Sequence, residues 1–369
     1  MSGKKGLFSA VFSAILIFIF TFSVSAEATA GKIAELTEDI PAVLVYDVTA
    51  DTVLYSKNSN DRIPPASTAK LVTALVALEH ADKEEIFPVG TELSLVPDDS
   101  SLCLILEGHR LKTKTFIAGM LLRSGGDAAY SLAVNIAKKC GEDSDMTDEE
   151  AIKYFCSLMN SYCKSLGCKN TNFVSPDGWD DEGNYTTAED MLLVAKKALK
   201  NETLMTIAKN PGRYFYFASG ENILWESTNL LLIPGNEYYC PYVTGLKTGT
   251  SDNAGSCIVA SAEKDGNSLL VLSFGGKNDK VRFGAAKNII ELIFGIPFIH
   301  LDADENGTVS AADARIVLRA SVGLEEITDR LIAVTDSNRD GRLTASDARY
   351  ILRFSVGLEG GTNDEGRTS

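Results

Sequence analysis

Histidine is scarce in this sequence: His80, His109 and His300 are the only three. No two of them are four residues apart, so a zinc-binding His-Glu-x-x-His helix is excluded. None sits in a motif that would mark the base of a Ser-His-Asp triad. Basic residues are in deficit, 35 against 50 acidic, for a net charge of −15. That balance argues against a nucleic-acid partner, whose phosphates need Lys and Arg in excess. Past Val24 no run is apolar and long enough to span a bilayer. The cysteines number seven: Cys103, Cys140, Cys156, Cys163, Cys168, Cys240 and Cys257. An odd count leaves at least one unpaired unless it bridges to another chain. The spacings match no zinc ribbon. Cys163-x4-Cys168 could be a metal pair, but no second pair answers it. Small buried thiols, with one disulfide at most, is the better reading.

What is present is a globular composition. The 369 residues are 45% apolar and 23% charged, which allows two or three domains. Lys4 and Lys5 precede an apolar run, Leu7–Val24, and Val24-Ser25-Ala26 offers small residues at a signal-peptidase site. Residues 1–26 therefore read as a secretory signal, with an uncleaved anchor as the rival. Either way the rest of the chain is expected outside the cytoplasm, secreted and associated with the cell wall or cell surface.

Alternation in Ala42–Asp47 and Val53–Tyr55 around Thr49-Ala50-Asp51 predicts a hairpin. Helical spacing follows in Thr68–Leu78, Lys114–Leu122 and Asp127–Lys139. Thr147-x-x-Glu150 predicts a capped start for a helix that Gly167 ends, and Thr186-x-x-Glu189 another running to about Leu199. Cys257–Ala262 and Leu269–Phe274 flank Asp265-Gly266-Asn267, a hairpin turn signal. Val281–Phe294 reads as an amphipathic helix. The pattern is one α+β domain, residues 33–298, whose antiparallel sheet draws strands from both ends.

After Pro297 the sequence repeats itself. DADENGTVSAADARIVLRASVGLE at 302–325 and DSNRDGRLTASDARYILRFSVGLE at 336–359 share 13 of 24 positions at an offset of 34. Each copy begins with a calcium loop. The first puts oxygen side chains at Asp302, Asp304, Asn306 and Asp313, with Gly307 at the sharp turn and the Thr308 carbonyl at position 7. The second gives Asp336, Asn338, Asp340 and Asp347, with Gly341 and Arg342 in the same places. Ca2+ takes six to eight hard oxygens, which such loops supply from alternate residues. Position 12 is Asp rather than Glu, and no clear helix precedes either loop. This resembles a dockerin, a small all-α module of two calcium-loop–helix segments that binds a cohesin domain on a partner. The resemblance covers residues 299–359 and implies two structural calcium ions and a cohesin-bearing scaffold. Such modules read partners through loop positions 10 and 11, here Ala311-Ala312 and Ala345-Ser346. Paired hydroxyls are common at those positions in other dockerins, and here they are mostly lacking. The last residues, 360–369, are Gly-rich and polar and read as a disordered tail.

Ser-x-x-Lys places a hydroxyl and an amine one helical turn apart. A lysine whose ammonium is disfavoured by burial can then serve as base for that hydroxyl. The motif occurs at Ser2, Ser67, Ser161 and Ser261. Only Ser67-Thr68-Ala69-Lys70 follows a Pro-rich approach and opens a helix, where free N–H groups favour an oxyanion. Downstream stand Ser124-Gly125-Gly126 at a helix start and Lys247-Thr248-Gly249 on a predicted edge strand.

The order Ser-x-x-Lys, Ser-x-x, Lys-Thr-Gly resembles that of penicillin-recognising serine enzymes. Pro65–Leu71 is similar to the nucleophile segment of D-alanyl-D-alanine carboxypeptidases. So are Phe173-Val174-Ser175-Pro176-Asp177-Gly178, Tyr185–Met191, and Thr228-Asn229 leading to Thr244–Gly249. The resemblance covers about Ile33–Ile296. It implies a penicillin-binding protein/β-lactamase-like transpeptidase fold, with an antiparallel sheet flanked by helices. It also implies a mechanism. Ser67 attacks the penultimate D-alanine carbonyl of a peptidoglycan pentapeptide, and Lys70 takes its proton. The Ser67 and Thr250 N–H groups hold the oxyanion. Ser124 with Lys247 returns a proton to the leaving D-alanine, and Lys247, Thr248 and Gly249 line the substrate carboxylate's site. Water then hydrolyses the acyl-enzyme, and β-lactams trap it. The family's middle motif is Ser-Gly-Asn, and here position 126 is Gly. Asp127 is the candidate to supply the positioning that the missing amide would give. If that amide only positions substrate, restoring Asn should raise turnover. A β-lactamase would need a deacylating carboxylate upstream of the Thr-Thr helix start, and Leu166–Pro176 contains none. A non-catalytic peptidoglycan- or β-lactam-binding module is favoured only by Gly126.

Overall fold

The computed structural model describes residues 29–141, 145–294, 301–304, 308–327, 331–332, 335–338 and 342–358. The predicted signal, residues 1–26, and the tail, 360–369, lie outside these residues. The chain divides into two compact units between Ile293 and Phe294.

The first unit is built on a five-stranded sheet. β1 (Ala42–Asp47) and β2 (Thr52–Lys57) form the predicted hairpin. β7 (Val243–Ser251), β8 (Gly255–Lys264) and β9 (Asn267–Gly276) form a meander. Asp265 and Gly266 join β8 to β9 with positive φ at both residues, 51° and 81°, as a two-residue I′ turn requires. The strand order is β2-β1-β9-β8-β7, antiparallel throughout. β1 from the start of the unit thus pairs with β9 near its end. Residues 256–262 of β8 are all buried, so both faces of the sheet are covered.

Helices supply that cover. α1 spans residues 29–36. α2 (Lys70–His80) is buried continuously from Lys70 to Ala77. An all-round buried helix is a central one, and α2 touches α3 (Thr113–Arg123), α4 (Gly126–Cys140), α5 (Asp148–Leu166) and α6 (Ala188–Leu199). Each Leu or Val it buries contributes roughly 1.5–3 kcal/mol. A short 3-10 turn, Ala66–Ala69, leads into it. α5 begins at the Thr147–Glu150 capping box and ends at Gly167, where φ is 96°. α6 starts one residue later than predicted. Its cap is Thr187, whose hydroxyl accepts from the Asp190 N–H. Thr186 is held in an extended bridge to Ile63, and Glu189 accepts from Ser59 and Asn60. α7 (Glu202–Ala208) and the hairpins β3–β4 (Ile86–Pro88, Arg110–Lys112) and β5–β6 (Gly212–Tyr216, Asn222–Glu226) were not predicted. α8 (Asp279–Ile293) packs on β8 and β9.

The second unit is small. α9 (Ala311–Ser321) and α10 (Ala345–Ser355) pack together. The repeat buries equivalent residues: Ala314 with Ala348, and Val317 with Ile351, around Leu301, Ala320 and Leu343. All seven cysteines are free thiols, five of them buried: Cys103, Cys156, Cys163, Cys240 and Cys257. Among the described residues no helix is long and apolar enough to cross a membrane.

Candidate active site

Three stretches of the first unit converge. The 3-10 turn presents Ser67 half-buried at its surface, while α2 starts with Lys70 at 1% exposure. Lys70 Nζ donates to Ser67 Oγ at 2.8 Å and to the Asp177 carbonyl at 3.0 Å. Ser124 ends α3 in the left-handed region, φ 59°. β7 brings Lys247, whose Nζ donates to Ser124 Oγ at 3.1 Å and to the Thr248 carbonyl at 2.7 Å. Two buried amines thus each hold one serine hydroxyl.

Burial dominates both lysines. It pushes Lys247 well below the usual lysine range, and the positive charges of Lys70 and Arg282 push the same way. It also lowers Lys70, against the pull of the Asp177 and Asp127 carboxylates. An amine moved toward neutrality can accept a hydroxyl proton.

Backbone makes the rest of the site. A Cβ at Gly249 would stand 3.0 Å from the Ser67 nitrogen, so β7 runs directly past the nucleophile's N–H. Gly178 has φ +79°, and a Cβ there would lie 2.0 Å from the Ala66 carbonyl. The Asp177-Gly178 loop therefore presses on the Ser67 turn from its own side. Thr248 shares a 2.8 Å hydroxyl contact with Thr228. Arg282, buried in α8, donates to the Gly249 carbonyl at 2.8 Å and to Thr250 Oγ1 at 3.0 Å. That fixes the strand end that carries Thr250.

Ser67, Lys70, Ser124, Lys247, Thr248, Gly249 and Thr250 are thus one neighbourhood. The other Ser-x-x-Lys serines lie elsewhere: Ser161 is exposed on α5, and Ser261 pairs with Thr244 across β7 and β8. Ser251-Asp252-Asn253 sits in the β7–β8 turn, held by the Asp180 carboxylate. Asp127 is not a substitute for the missing amide. Its carboxylate accepts from the N–H groups of Cys103, Ile105 and Ala128.

Sequence reasoning assigned no role to Ser100, Asp177, Thr228 or Arg282. Asp177 and Thr228 lie inside the segments that are similar to the carboxypeptidases. Arg282 carried a usable signal, an arginine on the buried stripe of an amphipathic helix.

In the second unit, Asp302, Asp304 and Asp313 each bring a carboxylate oxygen within 4.8 Å of the others. Three convergent carboxylates from one loop are a donor set that suits Ca2+. In the second loop Asp336 and Asp347 are buried, while Asn338 and Arg342 are exposed, as is Thr308 in the first. Asn306 and Asp340 lie outside the described residues.

A helix-flanked antiparallel sheet with two lysine–serine pairs at its edge is the framework of a serine hydrolase. Residues 34–278 match the family D-alanyl-D-alanine carboxypeptidase, and the chain belongs to that family of serine peptidases. It is 29% identical over 309 residues to D-alanyl-D-alanine carboxypeptidase DacF of Bacillus subtilis, covering 83% of this chain and 75% of that one. It is 29% identical over 282 residues to DacC of Escherichia coli, covering 74% and 66%. The crystal structure of the Streptomyces K15 DD-transpeptidase superposes with a TM-score of 0.63 at 27% identity, covering 70% of this chain and 97% of that one.

Proposed function

We propose that this chain is an exported carboxypeptidase that removes the terminal D-alanine from peptidoglycan stem peptides through an acyl-Ser67 intermediate. The observation that carries the reading is the pair of buried contacts, Lys70 Nζ to Ser67 Oγ at 2.8 Å and Lys247 Nζ to Ser124 Oγ at 3.1 Å. In this reading Lys70 accepts the Ser67 proton as Oγ attacks the carbonyl. The N–H groups of Ser67 and Thr250 receive the oxyanion. Ser124 donates a proton to the leaving amine and is resupplied through Lys247. The Lys247 amine, with the Thr248 hydroxyl, holds the substrate's terminal carboxylate. Water then releases the product. The test is D-alanine release from a pentapeptide, together with mass spectrometry of the penicillin adduct. Normal acylation with no D-alanine release would instead favour the binding-module reading that Gly126 invites.

The second unit reads as a dockerin that ties the enzyme to a cohesin-bearing scaffold at the cell surface. Asp302, Asp304 and Asp313 would hold one calcium ion and the second loop another. Bound calcium neutralises the clustered carboxylates and so stabilises the loops. A second feature supports docking. Both copies expose equivalent apolar residues, Leu318 with Leu352, Val322 with Val356, and Leu324 with Leu358. Export rests on residues 1–26.

A further inference from the structure

Asp177 is a carboxylate at 2% exposure whose Oδ2 lies 3.9 Å from Lys70 Nζ. Three protein donors hold its oxygens. Ser100 Oγ donates to Oδ2 at 2.8 Å, while Ser175 Oγ and the Trp179 N–H donate to Oδ1 at 3.0 and 3.1 Å. The same carboxylate faces the space above Gly126. A Cβ at Gly126 would meet Ser100 Oγ at 2.4 Å and Asp177 Oδ2 at 3.2 Å. Ser100 and Asp177 therefore fill the volume that a side chain at position 126 would enter.

We propose that Asp177, clamped by Ser100, Ser175 and the Trp179 N–H, is the positioning residue for Lys70, and that the Ser100–Asp177 pair stands in for the amide missing at position 126. This rests on the reading of Lys70 as the base for Ser67. Asp177 holds the amine from two sides, through its backbone carbonyl and its carboxylate. It also sets the charge that Lys70 feels. Burial drives the Lys70 ammonium toward neutrality, and Asp177 is the first group opposing it, followed by Asp127. Lys247 is the nearby amine from β7, itself pushed down by burial and then by Lys70 and Arg282. Cys103 stays a neutral thiol, raised by burial and then by Asp127. Tyr130 and Cys156 face Asp177 and stay protonated, both raised by burial and then by that carboxylate, Cys156 to about 12. Asp177 is thus the adjustable negative charge beside the base. A base works best with its pKa near the working pH, and without Asp177 the amine would fall too low to draw the proton effectively. Held by three donors and lying beside the Lys70 amine, the carboxylate acts through Lys70.

The test is the rate of penicillin acylation across pH for the full chain, Asp177→Asn, Ser100→Ala and Ser67→Ala, with melting curves for each. Asp177→Asn keeps the shape and removes the charge. Acylation at the optimum should fall about tenfold or more, and the acidic limb should move down by about one pH unit or more, because an opposite charge lost at this distance lowers a lysine by that order. In a folded Asp177→Asn variant, an unshifted limb, an unchanged rate, or a loss confined to deacylation overturns the proposal. If that variant does not fold, Ser100→Ala decides. A several-fold slower acylation at an unchanged melting temperature supports the clamp, and the wild-type rate overturns it. Absence of a Ser67-dependent adduct in the unmodified chain would instead remove the reading of Lys70 and Ser67 on which the proposal stands.

Discussion

Ser124 Oγ accepts a hydrogen bond from Lys247 Nζ at 3.1 Å, and the serine that makes this contact is held in the left-handed backbone region, at φ 59°. Left-handed conformation costs a non-glycine residue roughly 1–2 kcal/mol. Strain of this kind persists where the surrounding structure enforces it and often marks a functional position. Here it aims the hydroxyl from the end of α3 at the lysine on β7. Two substitutions separate strain from chemistry. Ser124→Ala and Ser124→Gly should both slow acylation, by roughly 10- to 1000-fold on the scale of a lost oxyanion donor. Ser124→Gly should nonetheless melt higher than Ser124→Ala, because only glycine relieves the backbone. Equal or reversed melting temperatures would remove the strain account.

Penicillin should add to one residue. Mass spectrometry of the labelled protein is expected to place the adduct on Ser67, and Ser67→Ala should abolish it. Label at Ser161 or Ser261 would sink the assignment, since Ser161 lies exposed on α5 and Ser261 is paired with Thr244.

Restoring the family's amide should not help. From the sequence, Gly126→Asn is expected to raise turnover if the missing amide only positions substrate. The structure reverses that expectation, because the new Cβ would meet Ser100 Oγ at 2.4 Å and turn it away from Asp177. D-alanine release and penicillin acylation should both fall in Gly126→Asn. A faster variant would show that the Ser100–Asp177 pair contributes nothing to Lys70.

Stability should peak in mildly alkaline solution. Lys70 and Lys247 are lowered by burial from the usual 10.5. Between the lowered values and 10.5 the unfolded chain holds protons that the folded chain does not, so stability rises with pH. The thiols work the other way. Burial raises Cys156 to about 12, and Cys240 and Cys257 to about 11, from the usual 9.0. Above 9 the unfolded chain loses protons that the folded chain keeps, so stability falls. Melting temperature should therefore climb with pH up to about pH 9 and then drop. A profile that declines steadily across the lower part of this range would mean that the two amines are charged in the folded protein.

Calcium should matter to the second unit alone. Asp302, Asp304 and Asp313 crowd three carboxylate oxygens within 4.8 Å, and their mutual repulsion opposes folding without a cation. Calorimetry with EGTA should show loss of the transition of residues 299–359, while the first unit keeps its transition and its penicillin reactivity. Asp302→Ala and Asp336→Ala should each weaken calcium uptake. An unchanged calorimetric trace with EGTA would reduce the loops to acidic turns.

The sheet was legible because its signals are local. Asp265-Gly266 demands positive φ at two adjacent residues, and alternation in Ala42–Asp47 needs only one buried face. The serine and lysine positions were legible for the same reason, since Ser67 and Lys70 lie within one turn. What stayed hidden was long-range. Ser100 meets Asp177 across 77 positions, and no local spacing announces that contact. Gly126 looked like a deletion because the compensating groups come from two other loops. The α6 cap was misplaced by one residue because Thr186 and Thr187 are chemically alike. Only the bridge to Ile63 withdraws Thr186 from the helix.

The two glycines that flank the nucleophile set a limit on how far this chain can drift. A methyl group at Gly178 would lie 2.0 Å from the Ala66 carbonyl, which leaves no room for it, and one at Gly249 would lie 3.0 Å from the Ser67 nitrogen, a contact the backbone must yield a few tenths of an ångström to admit. The opposing atoms belong to main chain and cannot rotate aside as the Ser100 hydroxyl can. A saturating library selected for penicillin capture should therefore return glycine alone at 178 and a strong preference for glycine at 249. Position 126 should accept other residues once position 100 is randomised with it. Such a library would distinguish a glycine the site requires from one that two neighbouring side chains have made tolerable.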